Sequence, residues 1–216
     1  MSSSSLEQMI EALKCLPGVG RKSAQRMALH LLERDQQGAR RIAETITQAL
    51  DTVRHCGKCR NFSDSDLCDI CSDEGREQNI ICVVETPADV LAVESSAAFR
   101  GRYFVLLGRL SPLDGFGPAQ LGLDDLEQQL REDGIKEVIL ATSATVEGDI
   151  TAQYIADFAT RQGITSSRLA RGIPLGGELE FVDGGTLSRA LTGRPQIDKY
   201  QKNTGGNTCP IFYLPR

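Results

Sequence analysis

Residues 56–71, Cys-Gly-Lys-Cys-Arg-Asn-Phe-Ser-Asp-Ser-Asp-Leu-Cys-Asp-Ile-Cys, hold two Cys-x-x-Cys pairs with eight residues between them. No secretion signal is recognisable, so paired thiols predict metal ligation or redox chemistry before disulfide bonds. Each short turn can direct two thiolates at one ion, and four sulfur ligands leave no open position for water. We therefore predict one structural zinc ion (Zn2+) per chain. Its ligands are Cys56, Cys59, Cys68 and Cys71.

The cysteines also allow other interpretations. A redox Cys-x-x-Cys motif is the alternative for each pair, but it needs no second pair so close in the sequence. Cys15 and Cys82 lie in apolar stretches, and we expect both to be small core residues.

The sequence before the cysteine pairs predicts helices. Apolar residues at helical spacing indicate a first amphipathic helix that ends at a Leu-Pro-Gly-Val-Gly turn, residues 16–20. A second helical pattern starts at about Lys22, and a third places the apolar residues of 42–53 on one face. We expect these helices to form an N-terminal domain, residues 1–55.

After the cysteine pairs the sequence changes to an α/β pattern. Residues 80–84, Ile-Ile-Cys-Val-Val, are continuously apolar, which is typical of a strand buried on both faces of a parallel sheet. Thr86 and Pro87 then fit the N-cap and first position of a helix. Alternating strands and helices predict a parallel sheet flanked by helices over residues 79–174. The predicted elements are strands at 80–84, 103–107 and 137–141 and helices near 124–133 and 149–162.

The C-terminal part carries weaker signals. Residues 178–182 fit a short strand and residues 186–191 a short helix, which predicts a small strand and helix region over residues 175–197. Beyond it, residues 198–216 lack periodicity and are expected to form an extended or disordered tail of uncertain origin.

Composition and charge limit the classes of function. The chain has 216 residues, 40% hydrophobic and 25% charged, which are ordinary values for a globular protein. No run approaches the ~18 apolar residues of a membrane span, so we expect a cytoplasmic protein without membrane contact. The net charge of −5 is uneven, because residues 1–60 carry +4 and residues 61–216 carry −9. Such asymmetry indicates different partners for the two parts.

The turn between the first two helices is a candidate phosphate site. Gly18 and Gly20 let the backbone approach a ligand, and the second helix begins with free N–H groups. Arg21, Lys22 and Arg26 add positive charge beside them. The alternative is an ordinary solvated surface. A nucleotide-hydrolysing P-loop is excluded, because the G-x-x-x-x-G-K-[ST] spacing is missing.

Carboxylates follow two predicted strands at the sheet edge where open α/β folds bind ligands. Glu85 ends the first strand, and Glu147 and Asp149 follow the strand at 137–141. Such carboxylates can hold magnesium for phosphoryl chemistry. Solvated acids without a ligand are the simpler alternative.

The order of these features resembles the RecR family, whose larger domain belongs to the Toprim class shared with topoisomerases and primases. The resemblance covers about residues 6–197, and its most specific part is the cysteine pattern extended to Arg76. Supporting motifs lie at residues 16–20, 22–26, 110–115 and 174–179. The resemblance implies a helix-hairpin-helix DNA-binding domain (1–55), a C4-type zinc finger (56–71), a Toprim domain (79–174) and a C-terminal oligomerisation region (175–197).

The resemblance also implies a function. RecR-family proteins are non-enzymatic recombination mediators that bind DNA without sequence specificity. They act with RecO, and in many bacteria with RecF, to load RecA at single-stranded gaps. They form ring-like homo-oligomers, so a dimer or tetramer is expected, with the bacterial cytoplasm and its nucleoid as the place of action. The family also makes the three acids, Glu85, Glu147 and Asp149, candidates for contact with RecO or for a vestigial metal site.

One departure from the wider Toprim pattern bears on catalysis. Catalytic Toprim enzymes carry Asp-x-Asp where this chain has Ser143 and Thr145, so a two-metal site lacks ligands. Tyr154 lies nearby, but we expect it to serve in packing. A magnesium-dependent nuclease or primase-like enzyme is therefore the alternative function, and a zinc-dependent scaffold that never touches DNA is a third.

Overall fold

The computed structural model describes residues 4–111, 115–132, 134–170, 172–173 and 176–193. The predicted tail, 198–216, lies outside the described residues, as do parts of the motifs at 110–115 and 174–179. Contacts divide the chain into two units, Met1–Arg168 and Leu169–Arg216. Among the described residues, no helix is long and apolar enough to cross a bilayer.

Three helices precede the cysteine pairs, as the apolar spacing predicted. Ser4 and Asp35 cap the first and third helix, since each side chain accepts a hydrogen bond from a backbone N–H of the first turn. A small core of Ile10, Ala24 and Ala28 joins the first two helices. Cys15 is exposed, so its predicted core position is wrong. The helices are α1 (Ser5–Leu13), α2 (Arg21–Glu33) and α3 (Gln36–Thr52).

The apolar face of α3 is exposed. None of the residues of α3 is buried, although Ile42, Ile46 and Leu50 recur at a spacing of four. The helix therefore presents an apolar stripe to its surroundings within a single chain.

A four-stranded parallel sheet forms the centre of the Met1–Arg168 unit. A two-stranded antiparallel ribbon, β1 (Arg54–His55) and β2 (Phe62–Ser63), and the short helix α4 (Asp69–Ser72) lead into it. The sheet strands follow in the spatial order β4-β3-β5-β6. Those strands are β3 (Ile80–Val84), β4 (Arg102–Val105), β5 (Glu137–Ala141) and β6 (Thr165–Arg168). The strands predicted at 80–84 and 137–141 are confirmed with these bounds, whereas β6 was not predicted.

Helices cover both faces of the sheet. Alternate side chains of each strand point to opposite faces, and both sets are apolar, so each face is buried by helices. On one face, Ile81, Val83 and Phe104 pack against the leucines of α6 and the apolar side of α7. On the other face, Cys82 and Val105 pack with α5 and with the cysteine pairs. The helices are α5 (Pro87–Ser95), α6 (Leu123–Glu132) and α7 (Val146–Arg161). The Thr86 N-cap is confirmed and forms a capping box with Asp89.

The Leu169–Arg216 unit contains one helix, α8 (Gly184–Thr192), among its described residues. This confirms the helix predicted at 186–191. The strand predicted at 178–182 is wrong: a 3-10 turn occupies Leu179–Phe181, and the Phe181 and Val182 N–H groups donate to carbonyl oxygens three residues back. Local hydrogen bonds thus satisfy this backbone without a neighbouring strand.

Candidate metal centre and nucleic-acid interface

The four cysteines converge on one point. One ligand atom from each of Cys56, Cys59, Cys68 and Cys71 lies within 4.8 Å of all the others. The Sγ atoms of Cys59 and Cys68 are 3.4 Å apart. Tetrahedral zinc with Zn–S bonds of about 2.3 Å places its sulfur atoms about 3.8 Å apart, so the donor set fits this ion. Among the described residues, this is the only group of three or more Cys, His, Asp or Glu ligand atoms as close together.

Two tight turns aim the thiols. The Arg60 N–H donates to the Cys56 carbonyl at 3.0 Å, and the Cys71 N–H donates to the Cys68 carbonyl at 2.9 Å. Arg60 takes a left-handed φ of 63°, which turns the first pair back on itself. The Cys68 N–H also donates to the Cys56 sulfur at 3.3 Å and joins the two turns. Local backbone geometry thus sets the ligand positions.

The surroundings of the four thiols differ in how far they favour the thiolate form. A hydrogen bond with Cys71 and burial raise the pKa of Cys59, and burial raises the pKa of Cys68 to about 11. Burial also raises the pKa of Cys56, but backbone hydrogen bonds at Cys59, Cys68 and Lys58 outweigh it and lower the value to about 7. Bound zinc would neutralise the thiolates and cross-link the two turns.

The cysteine pairs are attached to the edge strand of the sheet. The Val105 N–H donates to the Cys59 carbonyl at 2.8 Å, which satisfies part of the outer edge of β4. The Arg60 guanidinium lies 5.6 Å from the centre of the Phe104 ring and donates to the Leu121 carbonyl. Burial lowers the pKa of Arg60. Sequence reasoning missed Arg60, because no motif marks a residue that acts through tertiary contacts.

Arg76 joins the segment after the cysteines to the sheet. Its guanidinium forms two hydrogen bonds to the Glu94 carboxylate and donates to the Gly101 carbonyl at 3.0 Å. The Tyr103 hydroxyl donates to the same carboxylate at 2.6 Å. The hydrogen bonds from Arg76 lower the pKa of Glu94. Arg76 belongs to the motif that carries the resemblance, but the motif gave it no role. In the structure, Arg76 links its segment to α5 and to the residues before β4 through these hydrogen bonds.

The helix-hairpin-helix turn is open to solvent. Gly18 has a φ of +76°, and added Cβ atoms at Gly18 and Gly20 meet nothing within 4 Å. Gly20 caps α2 without a side-chain hydrogen bond, and the first turn of α2 contains no acidic residue. The first N–H groups of α2 are therefore available to an anion.

The three predicted basic residues at this turn differ. Lys22 and Arg26 are exposed, lie four residues apart on one face of α2, and form no ion pair with the described residues. Arg21 instead donates to the Glu7 carboxylate at 2.8 Å, which links α2 to α1. Lys22 and Arg26 are thus the cations available to a ligand.

The three predicted acids do not form a comparable cluster. Glu85 is 12% exposed, accepts a hydrogen bond from the Ser143 N–H at 2.8 Å and lies 4.0 Å from Arg109. Asp149 pairs with Arg168 at 2.7 Å. Glu147 is half-buried on the first turn of α7. Two of the three carboxylates are therefore already engaged by groups of the chain itself.

Ser143 and Thr145, which the resemblance places at the Asp-x-Asp positions of catalytic Toprim enzymes, carry hydroxyls that pair with each other. The Ser143 and Thr145 side-chain oxygens are 2.9 Å apart, and Thr145 also caps α7 by accepting from the Gly148 N–H. These side chains shape the turn from β5 into α7.

Comparisons with known proteins agree with this arrangement. Four family models match the chain in succession: the RecR helix-hairpin-helix at residues 6–50, the RecR four-cysteine zinc finger domain at 53–73, the Toprim domain at 79–170 and the RecR C-terminal region at 172–194. The recombination protein RecR of Methylococcus capsulatus is 55% identical over 189 residues, which are 88% of this chain and 96% of that protein. The predicted structural zinc site and the Toprim-like α/β layout are confirmed.

Proposed function

The chain belongs to the RecR family of recombination proteins, and we propose that it is a non-enzymatic mediator of recombination in DNA repair. In this proposal it binds DNA without sequence specificity and acts with RecO, and with RecF, to promote RecA loading at single-stranded gaps. It does so at the nucleoid in the bacterial cytoplasm. The observation that carries the proposal is the open turn, where Lys22 and Arg26 form no ion pair with the described residues and lie beside the first N–H groups of α2.

This turn suits a DNA backbone. Phosphate oxygens accept hydrogen bonds from free N–H groups at a helix N-terminus, and the positive end of the helix dipole adds attraction. Lys22 and Arg26 extend the same positive region along α2. Contacts of this kind give position and affinity without reading sequence.

Two cations per chain make a weak site, so we propose that several chains share one DNA molecule. In a ring-like dimer or tetramer, the weak DNA contacts of several chains act together, so the oligomer binds one DNA molecule more tightly than a single chain does. The exposed apolar stripe of α3 supports association of the N-terminal domains, because such a stripe is stabilised when another surface covers it. In the C-terminal region proposed for oligomerisation, 175–197, Leu179, Phe181 and Leu191 are exposed apolar residues.

The acidic end of the Toprim domain is proposed to contact a basic surface of RecO through Glu85, Glu147 and Asp149. Their arrangement supports contact over catalysis. Asp149 is paired with Arg168, Glu85 is held by the Ser143 N–H, and their oxygens do not converge with that of Glu147. Two-metal phosphoryl transfer needs carboxylates that converge on both ions.

DNA binding is tested by the double variant Lys22→Ala/Arg26→Ala across a salt series. We expect weaker binding and a salt slope reduced by about 1.8 for each engaged chain, since each lost phosphate contact removes about 0.9. The matched control is Arg40→Ala/Arg41→Ala, which removes the same charge from exposed positions of α3. If the affinity for DNA and the salt slope are unchanged in the first variant, Lys22 and Arg26 do not contact DNA and the proposed role of the hairpin is wrong.

The mediator role is tested by RecA loading on gapped DNA coated with single-strand-binding protein, with and without this chain and RecO. We expect faster loading only when both are present. In parallel, the zinc-loaded protein is incubated with magnesium and labelled gapped DNA. Cleavage that disappears in Glu147→Gln would replace the mediator proposal with the enzyme alternative.

A further inference from the structure

Helix α7 turns three apolar side chains outward in one row. Val146, Ile150 and Tyr154 recur at a spacing of four residues and are 72%, 53% and 45% exposed. At 1.5 Å rise per residue, the row is about 12 Å long. The opposite side of the helix is buried against the sheet. The predicted packing of Tyr154 is only partial. Its ring contacts Phe158 edge-on, with 6.2 Å between the ring centres, but the residue remains 45% exposed.

The helix holds this row rigidly. Thr145 caps its N-terminus, and the Thr142 hydroxyl donates to the Gly148 carbonyl at 2.8 Å. A Cβ at Gly148 would lie 2.3 Å from the Ser143 carbonyl oxygen, so helix and preceding turn are in close contact. The Leu110 N–H donates to the buried Thr151 hydroxyl at 2.9 Å. Docking on such a helix would require little ordering of the backbone.

The border of the row is negatively charged. Between residues 146 and 160 the sequence contains Glu147, Asp149 and Asp157 and no basic residue. Arg168 offsets Asp149, but Glu147 forms no ion pair with the described residues. Asp157 accepts a hydrogen bond from the neutral amide of Gln153, at 2.7 Å, which leaves its negative charge in place. The row therefore combines apolar contact area with negative potential.

We propose that the α7 row, Val146, Ile150 and Tyr154 with Glu147 beside it, is a docking surface for a protein segment that presents apolar and cationic side chains together, such as a basic amphipathic helix. The proposal rests on the proposed partner contact of Glu147 and deepens it. The apolar side chains supply the binding energy, and the carboxylates set orientation and association rate.

Charge distinguishes this occupant from two others. Nucleic acid is disfavoured, because its phosphates would meet Glu147 and Asp157. A second copy meeting row to row would bring the same carboxylates together around a two-fold axis. A segment with positive side chains meets neither repulsion.

The test measures binding to RecO of the same organism at low and high salt. The double variant Ile150→Ala/Tyr154→Ala is expected to weaken binding at least about tenfold at both salt concentrations, as is typical when interface anchors are truncated. Glu147→Gln is expected to weaken binding mainly at low salt. The matched control is Leu91→Ala, which removes a 67% exposed leucine from α5 on the other face of the sheet.

Because Tyr154 packs partly on Phe158, Ile150→Lys serves as a second variant that leaves this contact intact. We expect it to weaken binding with an unchanged melting temperature. If the wild-type chain binds RecO and all α7 variants bind equally well, the docking surface is refuted and the proposed partnership survives. If the wild type does not bind RecO, both fail. A change in oligomeric state of Ile150→Lys by sedimentation would assign the row to a second copy and also overturn the proposal.

Discussion

The four-cysteine cluster and the acidic end of the Toprim sheet both collect ligand-type side chains, but their surroundings differ. The four cysteine ligand atoms lie within 4.8 Å of one another. Glu85, Glu147 and Asp149 do not form such a group among the described residues, and Arg168 and the Ser143 N–H already engage two of these carboxylates. Ligand-type residues in a sequence form a metal site only where the tertiary structure brings their donor atoms together. Variants of the two regions test this difference, and the largest effects are expected at the cysteines.

Removing a zinc ligand should have the largest effect. Cys68→Ser should lower zinc from one ion per chain to almost none and abolish stable folding of the cysteine region, because a structural ion contributes about 10 kcal/mol or more to such sites. Elemental analysis and thermal unfolding measure both quantities. Cys15→Ser, at an exposed cysteine outside the cluster, should change neither. A metal-free Cys68→Ser protein of wild-type stability would refute the structural role.

The next largest effect on stability is expected at Arg76, which attaches the segment after the four cysteines to α5 and the sheet. Arg76→Ala should lower the free energy of unfolding by about 2 kcal/mol, because it leaves the partly buried Glu94 carboxylate without its cation. Denaturant unfolding measures the change. Arg131→Ala is the control, since the Arg131–Glu127 pair is exposed and should contribute less than about 0.5 kcal/mol. Equal losses in the two variants would contradict the role of Arg76.

Low pH should weaken the ion pair between Arg76 and Glu94. The pKa of Glu94 is lowered in the folded protein by Arg76, so its contribution to stability is present above the ordinary glutamate pKa, 4.5, and is lost as pH falls through the lowered value. Stability measured from neutral pH into this acidic range should fall less in Glu94→Gln than in the wild type. A Glu94→Gln protein with the full wild-type decline would assign the acid sensitivity to other groups.

The smallest effect is expected at the acidic end of the sheet. Arg168→Ala should cost less than about 1 kcal/mol, because the Arg168–Asp149 pair is partly exposed. Millimolar magnesium should not raise the melting temperature of this variant, since Glu85, Glu147 and Asp149 do not form a convergent group of ligand atoms among the described residues. A clear rise with magnesium would show that Arg168 alone keeps a metal ion out, and the contrast with the four-cysteine cluster would fail.

Prediction from sequence succeeded where the pattern is local. The apolar run at 80–84 and the capping residues at Thr86 and Pro87 specify strand and helix from neighbouring residues. Strand β6 was missed, because Thr-Ser-Ser-Arg is polar and becomes a strand only by pairing with β5. The strand predicted at 178–182 failed for the opposite reason, since its β-like residues find no partner strand among the described residues.

Side-chain environment was harder to predict than backbone conformation. Cys15 and Cys82 both lie in apolar stretches, yet only Cys82 is buried, because it lies on the central strand β3. The apolar face of α3 was predicted, but its exposure depends on how few neighbours surround that helix. The helical spacing of apolar residues shows that one face of a helix is apolar, but it does not show what covers that face.

Three features could be read from the sequence alone: the zinc site, the hairpin with its glycines and cations, and the alternation of strands and helices that builds the parallel sheet. All three depend on residues close together in the chain, where two short turns or one helical turn fix the geometry. Which charged groups remain available to a ligand, by contrast, depends on the tertiary structure. Glu85 meets the Ser143 N–H across 58 residues of sequence, Asp149 meets Arg168 from the next strand, and Arg21 is held by Glu7. Such pairings depend on how elements pack, because Coulomb attraction and hydrogen bonding act through space and not along the chain.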